Sequence, residues 1–471
     1  MSLIIPANSA AASGGYAVAN SARFQTASLK RSAGSKTNAT QATISMWFKR
    51  SELVDCVLMQ SYTDDNNRAY IKLLSNNFYF FDKSGGTNRN YWVSTFVLRD
   101  ISAWYHVHIN IDTGNGTAAN RFIVHLNGVN QPVANFTNNA SYGSGVTSNW
   151  QQASGTNQFT IGANESVNDQ YFGGYMSEVV YLDGQVVAYD SFGEFDEDSG
   201  IWKPIDGLAD LTVGNTGFYL DFEDSSDLGA DVIGSNDFTA AGLAAIDQST
   251  DTCTNNFATM NSLDNYYAAS TFSEGNCKII TSSGNTSYNT ATVAVSSGKW
   301  YVEAKVIDNA DSNYHHLGIA EVPTISTTDW LGKSAPHYGL TGYDGKIWRN
   351  NSGTVYGVST TTNDIVGMYI DLDNNKLYFA KNGTLMNSGT GHSITAAAST
   401  ANGYYLIAYG DWENLSTATW EVNFGNPTYT GTDQTDANGY GSFEYNPSSG
   451  TFDSASKDFL AICTKNLAEY G

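Results

Sequence analysis

Apolar and polar residues alternate with a period of two along two separate stretches of the chain, the spacing of strands that bury one face. The first series runs through 43–48, 69–73, 77–81, 104–111, 121–126, 158–161 and 174–182, each of strand length. Asn127-Gly128 follows the fifth run and predicts a hairpin, because both residues tolerate the positive φ of a type I′ turn. These runs predict an antiparallel sandwich ending near residue 190. A second series runs through 299–306, 316–320, 338–340, 365–371, 376–380, 404–409 and 418–424, with Asn382-Gly383 as its own hairpin signal. No helical heptads interrupt either series.

Between the two, the pattern breaks into short apolar pieces among Asp, Gly, Ser and Asn. Trp202, Phe218, Tyr219, Leu220 and Phe222 are too apolar for a free linker, so this stretch predicts an irregular connector packed on neighbouring structure. The fold class expected is all-β, with two antiparallel β-sandwich (jelly-roll) domains. The expected layout is a sandwich with an N-terminal arm over 1–190, the connector over 191–276, the second sandwich over 277–428 and a tail over 429–471.

Composition adds to this picture at a few points. The 45 Gly, 29 Tyr and only 7 Pro suit strands joined by tight turns. At 471 residues the chain exceeds one hydrophobic core of about 250–300 residues, which agrees with two domains. Asp and Glu outnumber Lys and Arg 46 to 23, and a net charge of −23 opposes nucleic acid and anionic membranes as partners. Cys56, Cys253, Cys277 and Cys463 are too scattered for a zinc site or a disulfide framework; buried free thiols are expected, with a Cys253–Cys277 bridge as the alternative. The first residues lack a basic region and their apolar run stops at Pro6, so no secretory leader is expected, and no apolar stretch is long enough to insert in a membrane.

The first series resembles the laminin-G-like, concanavalin A-like jelly roll. The residues that carry the resemblance are Ser45-Met46-Trp47-Phe48, Trp104-Tyr105-His106-Val107, Leu126-Asn127-Gly128, Ile161-Gly162 and Phe172-Gly173-Gly174-Tyr175-Met176. The second resembles a SPRY domain through Gly298-Lys299-Trp300-Tyr301, Leu317-Gly318-Ile319-Ala320, Asp364-Ile365-Val366-Gly367, Lys381-Asn382-Gly383 and Asn423-Phe424-Gly425. Their pairing, with Gly217-Phe218-Tyr219-Leu220-Asp221-Phe222 between and Ala461-Ile462-Cys463-Thr464 at the close, is similar to virion structural and tail-fibre-like proteins of marine tailed bacteriophages. That resemblance implies assembly into a virion in the host cytoplasm, other virion proteins as partners, and a homo-oligomer within the particle.

Catalytic constellations are sparse. Glu194, Asp196 and Asp198 alternate and would share one strand face, as paired glycosidase carboxyls would, but they lie between Gly193 and Gly200 and read better as a solvated acidic loop. Asp371-Leu372-Asp373 opens like a calcium loop without its sixth-position Gly or terminal Glu. No cofactor is expected; Ca²⁺ is the one ion that Asp64, Asp65, Asn66 and Asn67, or Asp221, Glu223, Asp224, Asp227 and Asp231, could hold at a folded-back loop. His106 and His108 share a strand face and would need a third ligand to bind a metal, while His315 and His316 point to opposite faces. There is no nucleophile elbow and no phosphate loop.

Recognition is better supplied, because Tyr and Trp give flat amphipathic area and Asn, Asp and Ser give adaptable hydrogen bonds. The candidate ligand-binding residues are Tyr62, Asp64 and Asn66 in the first sandwich and Tyr343, Asp344, Trp348 and Asn350 in the second, the latter where the SPRY resemblance implies variable loops. The expected function is a non-enzymatic phage tail-fibre or surface-fibre protein that attaches to host-surface polysaccharide or receptor. A capsid decoration or head-fibre protein, and a glycan-degrading enzyme, are the alternatives.

Overall fold

The computed structural model describes residues 15–471 except 33, 141, 152–157, 165–168, 266–269, 283–285, 310–313, 323–328, 336, 413–416 and 454–456. The chain separates into two compact units that divide between Thr254 and Asn255. Both are built from antiparallel sheets, as the alternating series requires.

In the first unit, one eight-stranded sheet, here the front sheet, runs Phe136–Ala140, Thr87–Val97, Asn77–Ser84, Asn67–Leu74, Cys56–Asp64, Gln158–Ile161, Ser28–Ser32 and Thr239–Ala241. The back sheet is centred on Trp104–Asp112, Gln41–Arg50 and Gly174–Asp183. Alternate residues of both, among them Ile44, Met46, Ile71, Phe80, Val107, Ile109 and Phe159, form one buried core. The Asn127-Gly128 turn forms as the sequence predicts, with φ of 47° and 73°, and joins Phe122–Leu126 to Val129–Asn130. Gly128 is required there twice over, since an added Cβ would overlap the Trp202 ring.

The second unit packs a nine-stranded sheet around Ala418–Asn423, Lys299–Asn309, Ile365–Asp371 and Lys376–Lys381 against a six-stranded sheet. The latter runs Ser287–Val295, Tyr405–Asp411, His315–Ala320, His337–Thr341, Lys346–Arg349 and Ser352–Val355. Trp300, Val302, Leu317, Ile319, Met368, Phe379, Ile407 and Trp420 lie in its buried core.

The stretch 191–276 is shared between the units. Trp202–Pro204 pairs with Gly193–Phe195, Phe218–Leu220 joins Gly174–Asp183, and Thr239–Ala241 joins Ser28–Ser32, all in the first unit. Thr271–Ser273 pairs with Lys278–Ile280 at the edge of the second. The stretch 429–471 is likewise built into its unit: Leu460–Ala461 runs parallel to Lys299–Asn309, and Thr464–Tyr470 forms a short α-helix. Glu303 anchors this stretch from beneath. Its buried carboxylate accepts hydrogen bonds from Tyr301 Oη, Asn423 Nδ2 and Tyr429 Oη at 2.9 Å each and from the Glu444 amide at 2.6 Å.

Candidate binding faces

In the second unit, Leu317 and Ile319 face the core, so His316 on the same strand faces outward. Trp348 lies on the outward side of Lys346–Arg349, because its neighbour Ile347 is in the core. Three other segments bring aromatic rings onto this outer face. Trp330 lies 5.2 Å from the His316 ring, 5.4 Å from Trp348 and 5.4 Å from Trp412, centroid to centroid. Tyr314 bridges Trp412 at 5.0 Å and Tyr343 at 5.3 Å. The result is a continuous aromatic face whose outer members, Tyr343 and Trp412, are 53% and 41% exposed while Trp330 beneath is 5% exposed.

Backbone hydrogen bonds hold the pieces in place. The Trp412 amide donates to the Tyr314 carbonyl at 3.0 Å, and the amides of Asn350 and Asn351 donate to the Ser334 and Gly332 carbonyls at 3.3 and 3.2 Å. Asn350 and Asn351 both adopt positive φ, 50° and 55°, in the turn before Ser352–Val355. Asn350 therefore clamps the loop that carries Trp330, and its own position is the turn rather than the aromatic face. Asp344 closes the neighbouring turn, accepting from Thr341 Oγ1 and pairing with Lys346 Nζ, each at 2.6 Å. Burial raises its pKa, but the bonds from Lys346 and Thr341 outweigh burial and hold the carboxyl below its usual range. Tyr343 and Trp348, two of the four residues picked from sequence here, thus meet on one face.

Beneath this face the polar accounting is incomplete. His316 is fully buried, and burial lowers its pKa to about 3, so the ring is a neutral imidazole with one donor and one acceptor. Among the described residues neither of its nitrogens, nor Trp348 Nε1, has a hydrogen-bond partner.

In the first unit, Tyr70, Phe81 and Val57 are buried together on the side of the front sheet away from the core, with Tyr79 and Tyr91 packed against them. Lys72 Nζ lies 4.6 Å from the Tyr79 ring centre and Arg68 lies over Tyr70 at 5.7 Å. Tyr62 is half-buried on this same side, opposite Arg68 in register. Asp64 and Asn66 sit in the exposed turn that follows, where Asp64 Oδ1 accepts the Asn66 amide at 2.7 Å. The sequence signal for this face was present: in Ala69-Tyr70-Ile71-Lys72-Leu73, the positions that alternate with core residues are Tyr and Lys.

The other sequence candidates are committed elsewhere. Asp196 accepts from the Ser199 amide and hydroxyl, both at 2.9 Å, and from Lys203 Nζ at 3.2 Å. Those bonds lower its pKa to about 2, and Glu194 shares the same lysine at 3.3 Å. His106 Nδ1 accepts from Trp202 Nε1 at 3.0 Å and its Nε2 bonds Ser45 Oγ at 2.8 Å; His108 Nε2 donates to the Val187 carbonyl at 3.0 Å and its Nδ1 lies 3.3 Å from His125 Nδ1. Each of these ring nitrogens therefore has a partner within the unit. Asp371 caps its hairpin through Asn374, and Asp221, Asp224, Asp227 and Asp231 each accept local backbone amides. Among the described residues no group of three or more His, Cys, Asp or Glu is arranged to hold a metal ion. The four cysteines are free thiols, three of them buried.

Residues 24–187 match the family model of the concanavalin A-like lectin/glucanases superfamily, and residues 299–407 match that of the SPRY domain. The chain therefore carries a laminin-G-like, concanavalin-like module followed by a SPRY domain, in the order the sequence resemblance implied. Among solved structures, the SPRY domain of human HERC1 is 15% identical, with 31% of this chain and 86% of that one covered at a TM-score of 0.26. The PSpry domain of TRIM65 is 16% identical, covering 35% and 91% at 0.25, and stonustoxin is 17% identical, covering 35% and 27% at 0.27. No curated protein matches the chain.

Proposed function

We propose that this chain is a non-enzymatic recognition protein of a tailed-phage particle, and that the tryptophan face of its SPRY domain holds a host-surface glycan. The observation that carries the glycan reading is the layering of that face. Exposed rings of Trp412 and Tyr343 offer the flat apolar area on which a sugar ring rests, and Trp330, packed against Trp412 from beneath, holds that surface in place. The non-enzymatic reading is supported by Asp196, whose bonds to Ser199 and Lys203 lower its pKa where a general acid would need a raised one. The virion reading is supported by the resemblance of the whole domain pairing, from Ser45 to Thr464.

Glycan-array binding of the full chain tests the first claim. Trp412→Ala is expected to weaken it about tenfold, the ~1.4 kcal/mol of one aromatic contact, with little loss of stability because the ring is exposed. Unchanged binding removes the site. New reducing ends released from host polysaccharide would overturn the non-enzymatic reading. Immunogold labelling of particles separates a fibre from a capsid decoration, and label confined to infected-cell debris would refute a virion role.

A further inference from the structure

We propose that the outer side of the first unit's front sheet is a separate binding site for an anionic polysaccharide, one that carries carboxylate or sulfate groups. The site goes beyond the tryptophan face, lies in the other unit and takes a different ligand chemistry, so the two stand or fall independently.

Positive charge is concentrated on this side of the sheet. In a chain with twice as many acids as bases, the adjacent strands Asn67–Leu74 and Asn77–Ser84 carry Arg68, Lys72 and Lys83 against one acid, Asp82. Asp82 points the other way: it is fully buried and accepts hydrogen bonds from Tyr142, Ser148 and the Asn149 amide. Lys83, its neighbour in sequence, pairs in register with Arg68, so the three cations share the outer side with Tyr70 and Tyr79. Arg68 reaches the exposed Asp65 at 2.6 Å; Lys72 and Lys83 have no ion-pair partner among the described residues.

Such an arrangement is costly for the free protein. Lys72 Nζ lies over the Tyr79 and Tyr70 rings, 4.6 and 5.6 Å away, and burial lowers its pKa while Asp55 opposes that shift. An ammonium group that is partly desolvated and unpaired is offset by an anion delivered from outside. The rings supply the second half of the recognition. Tyr79 and Tyr91, both half-buried, pack edge to face at 5.3 Å, and the in-register row from Tyr62 through Arg68 and Lys83 to Asn88, none of it buried, crosses four paired strands. Three inter-strand gaps of about 4.8 Å make that row roughly 14 Å long, enough for a short run of sugars rather than one.

A nucleic acid would also meet cations and rings here. Its phosphate on every residue brings far denser charge against the −23 of the whole chain, whereas an acidic polysaccharide spreads its charge and offers hydroxyls as well.

The test uses the full chain in affinity electrophoresis through polygalacturonate, dextran sulfate or neutral dextran, with oligothymidylate as the competing polymer. Retardation is expected in polygalacturonate, which identifies carboxylate, or in dextran sulfate, which identifies sulfate, and not in neutral dextran. Binding should weaken with added salt and fall about tenfold or more in Lys72→Gln/Lys83→Gln, which keeps most of each stem. Lys83→Glu alone, on a side chain outside the core, should also weaken it and guards against misfolding of the double variant. Retardation by neither anionic polymer, equal retardation by dextran, unchanged binding in both variants, or stronger binding of oligothymidylate would each overturn the assignment.

Discussion

Glu178 makes the first unit's stability depend on pH in a direction opposite to most acidic proteins. It sits in Gly174–Asp183 where the register against Gln41–Arg50 shifts, with a φ of 50° that a non-glycine residue rarely adopts. Its side chain is buried, and burial pushes its pKa up from 4.5 to about 8, although the Tyr219 hydroxyl donates to Oε2 at 2.8 Å. Below pH 4.5 the carboxyl is protonated in both folded and unfolded chains, and its contribution is fully present. Between 4.5 and about 8 the unfolded chain releases the proton while the folded chain keeps it, so stability falls as pH rises. A shift of that size corresponds to about 5 kcal/mol, lost by the time pH passes 8. Glu178→Gln keeps the shape and removes the proton. Urea unfolding between pH 5 and 9, followed on the first unit, should show the variant more stable than the parent by several kcal/mol at pH 9 and nearly equal at pH 5. The parent-minus-variant difference cancels other titrating groups, such as Asp82, whose pKa burial raises to about 6. A difference that does not change with pH would refute the reasoning.

Two further perturbations test the packing directly. Gly128→Ala should destabilise the first unit by about 2–4 kcal/mol, since it strains a φ of 73° and drives a methyl into the Trp202 ring; a thermal shift of less than a degree would be inconsistent with this. Glu303→Ala strands the hydroxyls of Tyr301 and Tyr429, the Asn423 amide group and the Glu444 amide. At about 1 kcal/mol or more for each buried donor, it should cost some 4 kcal/mol, and limited proteolysis should then cut within 429–459 before the rest of the second unit.

Alternation made the sandwiches legible because a strand with one buried face must place core residues at every second position, and turns such as Asn127-Gly128 and Asn382-Gly383 need φ values few residues accept. The same rule fails for short strands whose partners are distant in sequence. Phe218–Leu220 pairs with Gly174–Asp183, and Leu460–Ala461 with Lys299–Asn309, yet neither is long enough to show a period. That is why 191–276 reads as a connector and 429–471 as a tail, although strands from both are hydrogen-bonded into the sheets.

The two proposed binding faces differ in the same way. The front-sheet face was written into the alternation itself: once 69–73 is a strand with Ile71 and Leu73 inside, Tyr70 and Lys72 must share the other side, and the pairing with Asn77–Ser84 brings Tyr79 and Phe81 beside them. The tryptophan face has no such local rule. Tyr343 and Trp348 come from one hairpin, but Trp330, Trp412 and Tyr314 arrive from three other segments, and only the folded chain brings their rings within 5–6 Å. Positions on one strand pair are constrained by their neighbours, whereas positions on separate loops can vary independently without disturbing the core. A face assembled from loops is therefore where ligand preference can change at least cost to the fold, and the sheet face, tied to the core through every second residue, is where it is most firmly fixed.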